Sequence, residues 1–181
     1  MAKGLRPSRC YRWDSPAFTR VSKNPSASFI TGIPGNKIFH FTMGNPLREY
    51  NTEVSIITDQ RIQMRHNALE AARVAANKKL ETDVGAKNYL FQVRVYPHHV
   101  MRENAQASGA GADRVQQGMR KSYGKPVGRA ARVQANQKVM SVYADTTGDE
   151  DTVLKTVKKA LKMATLKLPG EIRIIVERKA S

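Results

Sequence analysis

The second of two amphipathic segments restricts the fold more than any other feature of the chain. Apolar residues recur at helical spacing from Val153 through Leu161 to Leu168 and form one stripe. Such a stripe has to be buried against another layer of the protein. Acidic residues at 149–151 precede it and Pro169 follows it, which are start and stop signals of a helix. The sequence therefore predicts a long helix that packs on a sheet or on a second helix.

An earlier segment, from Asp59 to about Asp83, carries a similar stripe. Asp59 is placed to cap the start of a helix, and Gly85 lies just beyond its end. The apolar positions at helical spacing are Ile62, Leu69, Ala72, Ala76 and Leu80. We expect a first long helix here, whose opposite side presents Arg61, Arg65, Lys78 and Lys79 either to a partner or simply to solvent.

Short runs rich in β-branched and aromatic residues predict the strands. They lie at 37–41, 53–58, 89–96, 128–133, 138–143 and 172–176, and residues 135–137 are short enough to join two of them as a hairpin. Together the elements indicate an α+β fold, a two-layer α/β sandwich in which a mixed sheet carries both long helices on one face. We assign residues 37–181 to this single domain.

Residues 1–36 are expected to form an irregular basic extension. Over residues 1–48 there are eight basic residues, one acid (Asp14) and five prolines, with no helical period. Such a segment buries too little apolar surface to offset its backbone entropy, so a partner would have to order it. Tyr11, Trp13 and Phe18 alternate with arginines and either stack on bases or pack locally on the domain.

The charge of the chain points to a polyanionic partner. Thirty-one Lys and Arg oppose fifteen Asp and Glu, for a net charge of +16. Nucleic acid fits this better than a membrane, because no apolar run approaches the roughly 18 residues of a spanning helix and the first residues lack an apolar signal core. We expect a soluble, cytoplasmic protein. The single Cys10 excludes an intrachain disulfide and a thiolate-rich zinc site.

Two neighbouring segments concentrate the functional signal. Residues 102–114 are mostly Ala, Gly, Ser, Asn and Gln, which predicts a mobile loop, and long loops of this kind are usually functional. From Arg114 to Ala144 no acid occurs, whereas ordinary surfaces mix both signs of charge. The basic residues of this run are Arg114, Arg120, Lys121, Lys125, Arg129, Arg132 and Lys138.

Catalytic and cofactor motifs fail on inspection. Gly118 and Gly124 are separated by five residues where a phosphate loop needs four, and Arg114 replaces the third glycine of a dinucleotide fingerprint. The adjacent His98 and His99 have no further ligand at metal-site spacing, and no serine lies in a nucleophile elbow. We expect no enzyme, no metal and no cofactor. The alternative is an RNA-modifying enzyme that uses the same basic face and has a cofactor pocket.

RNA is the preferred nucleic acid, because no helix–turn–helix or zinc module for reading a DNA groove is evident. Five segments then carry a family resemblance: RPSRCYR at 6–12, ALEAARVAANK at 68–78, VRVYPHHV at 93–100, GADRVQQGMR at 111–120 and GKPVGRAARV at 124–133. Together they resemble the large-subunit ribosomal protein family called ten-e in archaea and eukaryotes, whose bacterial counterpart is large-subunit protein sixteen. The sequence of residues 107–112 favours an archaeal source.

The resemblance implies a two-layer α/β sandwich that sits on large-subunit rRNA below the central protuberance, near the aminoacyl-tRNA path. A member of the family would be a structural, ribosome-bound constituent that orders rRNA and helps to position tRNA. The family's loop that extends toward the peptidyl-transferase centre maps onto residues 102–114. The implied partners are rRNA, tRNA and neighbouring large-subunit proteins.

These expectations assign two groups of residues. The rRNA-binding group combines the extension, the first helix, a strand end and the acid-free run: Arg6, Arg9, Arg12, Arg20, Lys23, Arg61, Arg65, Arg94, His98, His99, Arg120, Lys121, Lys125, Arg129 and Arg132. The group near tRNA and the peptidyl-transferase centre lies in the loop: Arg102, Asn104, Ser108, Gly109, Gly111 and Arg114.

Overall fold

The computed structural model describes residues 6–19, 30, 32–146 and 150–178. Both helices and strands occur along these residues, and the α+β class is confirmed. The elements are β1 (Thr42–Gly44), β2 (Thr52–Thr58), β3 (Ile62–Arg65), α1 (His66–Asp83), β4 (Tyr89–Val93), β5 (His99–Glu103), α2 (Ala112–Val115), β6 (Lys125–Val133), β7 (Lys138–Ala144), α3 (Glu150–Thr165) and β8 (Ile172–Arg178). Short 3₁₀ turns lie at Ser8–Cys10 and Gly118–Lys121.

The strands form two sheets, and every pair within them is antiparallel. The five-stranded sheet has the order β1-β4-β7-β2-β8, and the three-stranded sheet has the order β3-β6-β5. The expected single mixed sheet is therefore corrected. Helix α3 connects β7 to β8, which run in the same direction, but these two strands are not neighbours: β2 lies between them and pairs antiparallel with both.

Helix α1 begins seven residues later than its predicted start at Asp59. It starts at His66, and the four residues before it form β3, in which Ile62 pairs with Val133 and Met64 with Ala131. Ile62 and Met64 fit the two-residue period of a strand, and their pairing with β6 decides between the two periods. The predicted placement of Arg61 and Arg65 on the outer side of the helix is therefore wrong.

Other segments also differ from the sequence prediction. Residues 37–41 are not a strand, although Ile38 is buried and the Phe41 carbonyl accepts the N–H of Val93. The predicted loop at 102–114 begins only after Glu103, because β5 extends to that residue. Residues 135–137 do not close a hairpin, because β6 and β7 belong to different sheets. Asn136 turns there with φ of 60° and donates to the Thr58 carbonyl at 2.7 Å.

Both long helices pack on the same face of the five-stranded sheet and against each other, as predicted. The buried stripe of α1 is Leu69, Ala72, Ala76 and Leu80, and that of α3 is Leu154, Val157, Ala160, Leu161 and Ala164. They meet Val54, Ile56, Phe91, Met140 and Val142 of the sheet in one core. Asp149, one of the acidic residues expected at the start of this helix, lies outside the described residues. Within the described segments, no helix is both long and apolar enough to cross a membrane.

Candidate nucleic-acid interface

The three-stranded sheet buries one face in the core and turns the other toward the N-terminal segment. Met64, Ala131 and Val133 enter the main core, so the alternate residues of the same strands point the opposite way. On that opposite face Tyr11 packs with Met101 and Ala130 in a small second core. Residues 6–19 therefore lie across the sheet and are held there by contacts within the chain.

Hydrogen bonds fix the start of this segment on β3. The Ser8 hydroxyl donates to the Gln63 carbonyl, and the Gln63 side-chain amide donates back to the Ser8 carbonyl at 3.1 Å. Arg65 donates from Nη1 to the Arg6 carbonyl at 2.6 Å and lies 5.8 Å from the Tyr11 ring centroid. Arg65 is only 8% exposed, so most of its surface is used inside the protein.

Arg132 on β6 holds the next part of the segment. Its guanidinium donates to the carbonyl of Ser15, to the carbonyl of Arg12 at 3.1 Å, and lies 3.3 Å from Nε2 of His99. Burial, and then the charge of Arg61, lower the pKa of Arg132. A planar group with several donors suits this task because it satisfies several acceptors at fixed angles.

His99 on β5 is 2% exposed and fixes the end of the segment. Its Nδ1 accepts the backbone N–H of Phe18 at 3.0 Å, which places the ring proton on Nε2. The carbonyl of Phe18 accepts the N–H of Val100 at 3.0 Å. Burial lowers the pKa of His99 to about 4, and the charge of Arg132 adds to the effect. The imidazole is therefore neutral at pH 7.

Arg102 lies between two aromatic rings at the root of the 104–118 segment. Its guanidinium carbon is 3.8 Å from the Phe18 ring centroid and 3.7 Å from that of Tyr123, and Nη1 donates to the Tyr123 carbonyl. The two rings are 6.1 Å apart at 86°. This stack connects the N-terminal segment, β5 and the residues before β6.

The loop beyond this stack is exposed, with a few internal bonds near its base. Asn104 donates from Nδ2 to the Gly118 carbonyl at 3.4 Å, and Gln116 pairs with both backbone groups of Ala107 at 2.5 and 2.8 Å. Arg114 falls in the one-turn helix α2. The remaining predicted loop residues, Ser108, Gly109 and Gly111, are exposed.

Exposed cations surround the covered face of the three-stranded sheet. We call them, together with the buried Arg65 and the partly buried Arg132, the arginine surface. Arg61 lies 5.4 Å over the Trp13 ring, while Arg6 and Arg12 pair at 3.3 and 3.7 Å with Glu103 and Asp14. The other exposed members are Arg9, Arg120, Lys121 and Lys125. The arrangement concentrates positive charge beside flat ring faces, which suits a single-stranded or irregular RNA.

The comparisons with known proteins agree with that chemistry. The family model described as Ribosomal protein L16p/L10e matches residues 15–175. The chain belongs to this family. Large ribosomal subunit protein uL16 of Methanospirillum hungatei is 45% identical over 96% of each chain. The proteins of the same name are 46% identical in Hyperthermus butylicus, over 94% of this chain and 92% of that one, and 41% identical in Archaeoglobus fulgidus, over 96% and 93%.

Membership of the L16p/L10e family confirms the family predicted from the sequence. It is a family of ribosomal structural proteins, so the expectations of a non-enzymatic, ribosome-bound protein agree with it. These three relatives are archaeal, which agrees with the archaeal source predicted from the sequence of residues 107–112. Among the described residues, no three His, Cys, Asp or Glu side chains are grouped so that they could hold a metal ion.

Some predicted residues of this L16p/L10e chain lie away from the arginine surface. Arg94 is on the five-stranded sheet, where Nη1 donates to the Tyr143 hydroxyl at 2.6 Å and lies 3.8 Å from Glu53. His98 contacts the Tyr96 carbonyl through Nδ1 at 3.0 Å. Arg129 points to the opposite side of β6 from Arg132, and its charge helps to lower the pKa of His66, which burial lowers first. Arg20 and Lys23 lie outside the described residues.

Sequence reasoning missed Gln63 and Tyr11 as residues that hold the N-terminal segment. The predicted helix includes Gln63, although Ile62, Gln63 and Met64 alternate between apolar and polar as in a half-buried strand. For Tyr11, the sequence does not decide between stacking on RNA bases and packing on the domain. Its ring is buried, and its hydroxyl donates to Glu103 at 3.2 Å. Burial, followed by the Glu103 carboxylate, raises the pKa of Tyr11.

Proposed function

We propose that the chain binds large-subunit rRNA through the arginine surface and acts there as a structural component of the subunit. The observation that carries this proposal is the concentration of cations around the covered face of the three-stranded sheet, where Glu103 and Asp14 are the only acids paired with them among the described residues. Each exposed guanidinium offers donors that match phosphate oxygens, and the Trp13 ring offers a stacking plane beside Arg61.

The buried or partly buried members of the predicted rRNA-binding group that bond to the N-terminal segment take a positioning role in this proposal. Arg65, His99 and Arg132 form hydrogen bonds with residues 6–18, so their first role is to hold that segment in place for RNA. The extension then supplies Arg6, Arg9 and Arg12 in a fixed arrangement. Preordering the segment lowers the entropy cost of binding, because fewer backbone angles remain to be fixed.

We also propose that the chain helps to position tRNA. We infer that the chain sits near the aminoacyl-tRNA path below the central protuberance, beside neighbouring large-subunit proteins, and that the mobile loop reaches toward the peptidyl-transferase centre. The exposure of Ser108, Gly109, Gly111 and Arg114 supports this, because glycines allow close approach to a nucleic-acid backbone. Arg102 anchors the root of the loop, and peptide-bond chemistry remains with RNA.

The experiment is co-sedimentation of the protein with large subunits at increasing salt. We expect binding whose log affinity falls linearly with log salt, at about 0.7 to 0.9 per phosphate contacted. The variant Arg9→Gln/Arg61→Gln/Arg120→Gln should lower that slope by about 2 to 3. The matched control, Arg48→Gln/Lys87→Gln/Arg173→Gln, removes equal charge from exposed positions outside the arginine surface. Equal slopes for the two variants, or a protein that stays free of the subunit, would refute the proposal.

A further inference from the structure

The outer face of α3 carries a second concentration of positive charge that the arginine surface does not include. Lys155, Lys158, Lys159 and Lys162 are all exposed. Lys158 and Lys159 each lie three or four residues from both Lys155 and Lys162, so the four share one side of the helix. No acid occurs between Thr152 and Gly170. Among the described side chains, none of these four lysines forms an ion pair.

An ordinary solvated helix face looks different, and α1 in the same layer provides the comparison. There Glu70 pairs with Arg73 at 2.6 Å and Lys79 with Asp83 at 2.7 Å, so opposite charges alternate along the helix. On α3 the lysines are neighbours of like sign, which weakens an isolated helix. A polyanion along this face would turn that repulsion into attraction.

A groove joins the end of α3 to the arginine surface. Lys167 and Pro169, just beyond α3, line it on one side, and Pro7, Arg65 and Asn67 line it on the other. None of the described residues that line it is acidic. The first turn of α1 opens on this groove with no side-chain cap and no acidic residue, so its backbone N–H groups add a positive dipole.

Two buried polar atoms beside this groove have no hydrogen-bond partner in the part of the chain that the structure describes. They are Nε of Arg65 and Oδ1 of Asn67, in side chains that line the groove. Buried donors and acceptors in folded proteins are nearly always paired, and a charged donor left alone is costly. A small rotation of Arg65 toward an anion would satisfy its Nε–H, and turning the Asn67 amide would offer a second donor. The groove is therefore built to receive negative charge.

We propose that the lysine face of α3 is a second contact surface for RNA phosphates, continuous with the arginine surface through the groove at the start of α1. This inference rests on the proposed rRNA-binding function and extends it to the helical layer. The backbone of one RNA segment would pass from the extension, over Arg65 and Lys167, and along Lys162, Lys159 and Lys155. Recognition is electrostatic and independent of base sequence, because lysine offers a point charge.

The test uses large subunits from which the protein has been stripped by high salt, and measures its rebinding at several salt concentrations. The variant Lys155→Gln/Lys159→Gln/Lys162→Gln removes three charges from α3, and the control Arg48→Gln/Lys87→Gln/Arg173→Gln removes three elsewhere. We expect the α3 variant to lower the slope of log affinity against log salt by about 2 to 3, and the control by less than about 1. Circular dichroism checks that both variants fold.

A second variant, Lys155→Arg/Lys159→Arg/Lys162→Arg, keeps the charge and should keep the wild-type slope. If the glutamine variant behaves like the control, or the arginine variant loses the slope as well, α3 does not contact phosphates and the inference is wrong while rRNA binding stands. If the wild-type protein itself fails to rebind, the proposed function fails and this inference fails with it.

Discussion

The backbone N–H of Phe18 donates a 3.0 Å hydrogen bond to Nδ1 of His99, a bond that exists only while the imidazole is neutral. Burial lowers the pKa of His99 to about 4 from its usual 6.5. Between these two values the unfolded chain binds a proton that the folded chain excludes. Stability is therefore complete above about pH 6.5 and falls as the pH drops through that window, by roughly 3 kcal/mol at most.

The variant His99→Gln tests this dependence, because its amide oxygen can still accept the Phe18 N–H and does not titrate. We expect the wild-type protein to lose more of its free energy of unfolding than the variant between pH 7 and about pH 4.5. Denaturant unfolding at several pH values measures the difference. His66, whose pKa burial also lowers, is present in both proteins and cancels. Parallel pH profiles would show that His99 titrates normally.

Two leucines of the α3 region differ in burial and provide a matched pair. Leu161 is fully buried in the core, whereas Leu166, one residue beyond the end of α3, is 78% exposed. Leu161→Ala should lower the free energy of unfolding by about 2 to 5 kcal/mol, because it leaves a cavity in the core. Leu166→Ala should change it by about 0.5 kcal/mol or less. Similar losses in chemical denaturation would contradict this packing.

Arg102 and Arg114 were assigned together to the loop, and the structure separates their roles. Arg102→Ala removes a guanidinium from between the Phe18 and Tyr123 rings and should cost about 1 to 3 kcal/mol of stability. Arg114 is exposed, so Arg114→Ala should leave unfolding unchanged. In reconstituted ribosomes both variants should slow tRNA accommodation. A stability loss only in Arg114→Ala would reverse this division.

The helices and most strands could be predicted because their signals are local. The stripes of α1 and α3 and the alternation in β4 and β7 each lie within one short segment. Ile62 shows where local reasoning fails, since it fits both the helical stripe of Leu69 and the strand period of Met64. Only its pairing with Val133, far along the chain, decides between them. The division of β6 and β7 between two sheets depends on such long-range pairing as well.

The basic character of the candidate interface could also be predicted from the sequence, but the role of each cation could not. Arg65 and Arg61 look alike in the sequence, yet one is buried beneath the N-terminal segment and the other is exposed. Burial depends on which residues cover a position, and the cover here comes from residues more than 50 positions away. The α3 lysines show the reverse case, where helical spacing alone places them on one exposed face.

Gly44 lies at the end of β1, where a side chain would meet the neighbouring strand. Its φ is +88°, and an added Cβ would overlap the carbonyl oxygen of Tyr89, which already accepts the Asn45 N–H at 2.9 Å. Gly44→Ala should therefore cost more than about 2 kcal/mol, from backbone strain and a displaced β4. A Cβ at Gly35 would meet no atom of the described residues within 4 Å, so Gly35→Ala should cost about 0.5 kcal/mol or less. Thermal unfolding compares the two, and equal melting temperatures would rule out the close approach.

Arg132 connects β6 to the N-terminal segment through the carbonyls of Arg12 and Ser15, and this connection can be removed without touching the main core. Arg132→Met keeps an unbranched side chain of similar length to the aliphatic part of arginine but has no donors. Each lost bond from a charged donor is worth about 1.5 to 3 kcal/mol, so local opening of the segment should become at least about tenfold more frequent. Limited proteolysis should then cut within residues 6–19 faster by a similar factor. The exposed Arg120→Met serves as the control and should be cut at the wild-type rate, whereas equal rates for all three proteins would mean that Tyr11 and Ser8 hold the segment alone.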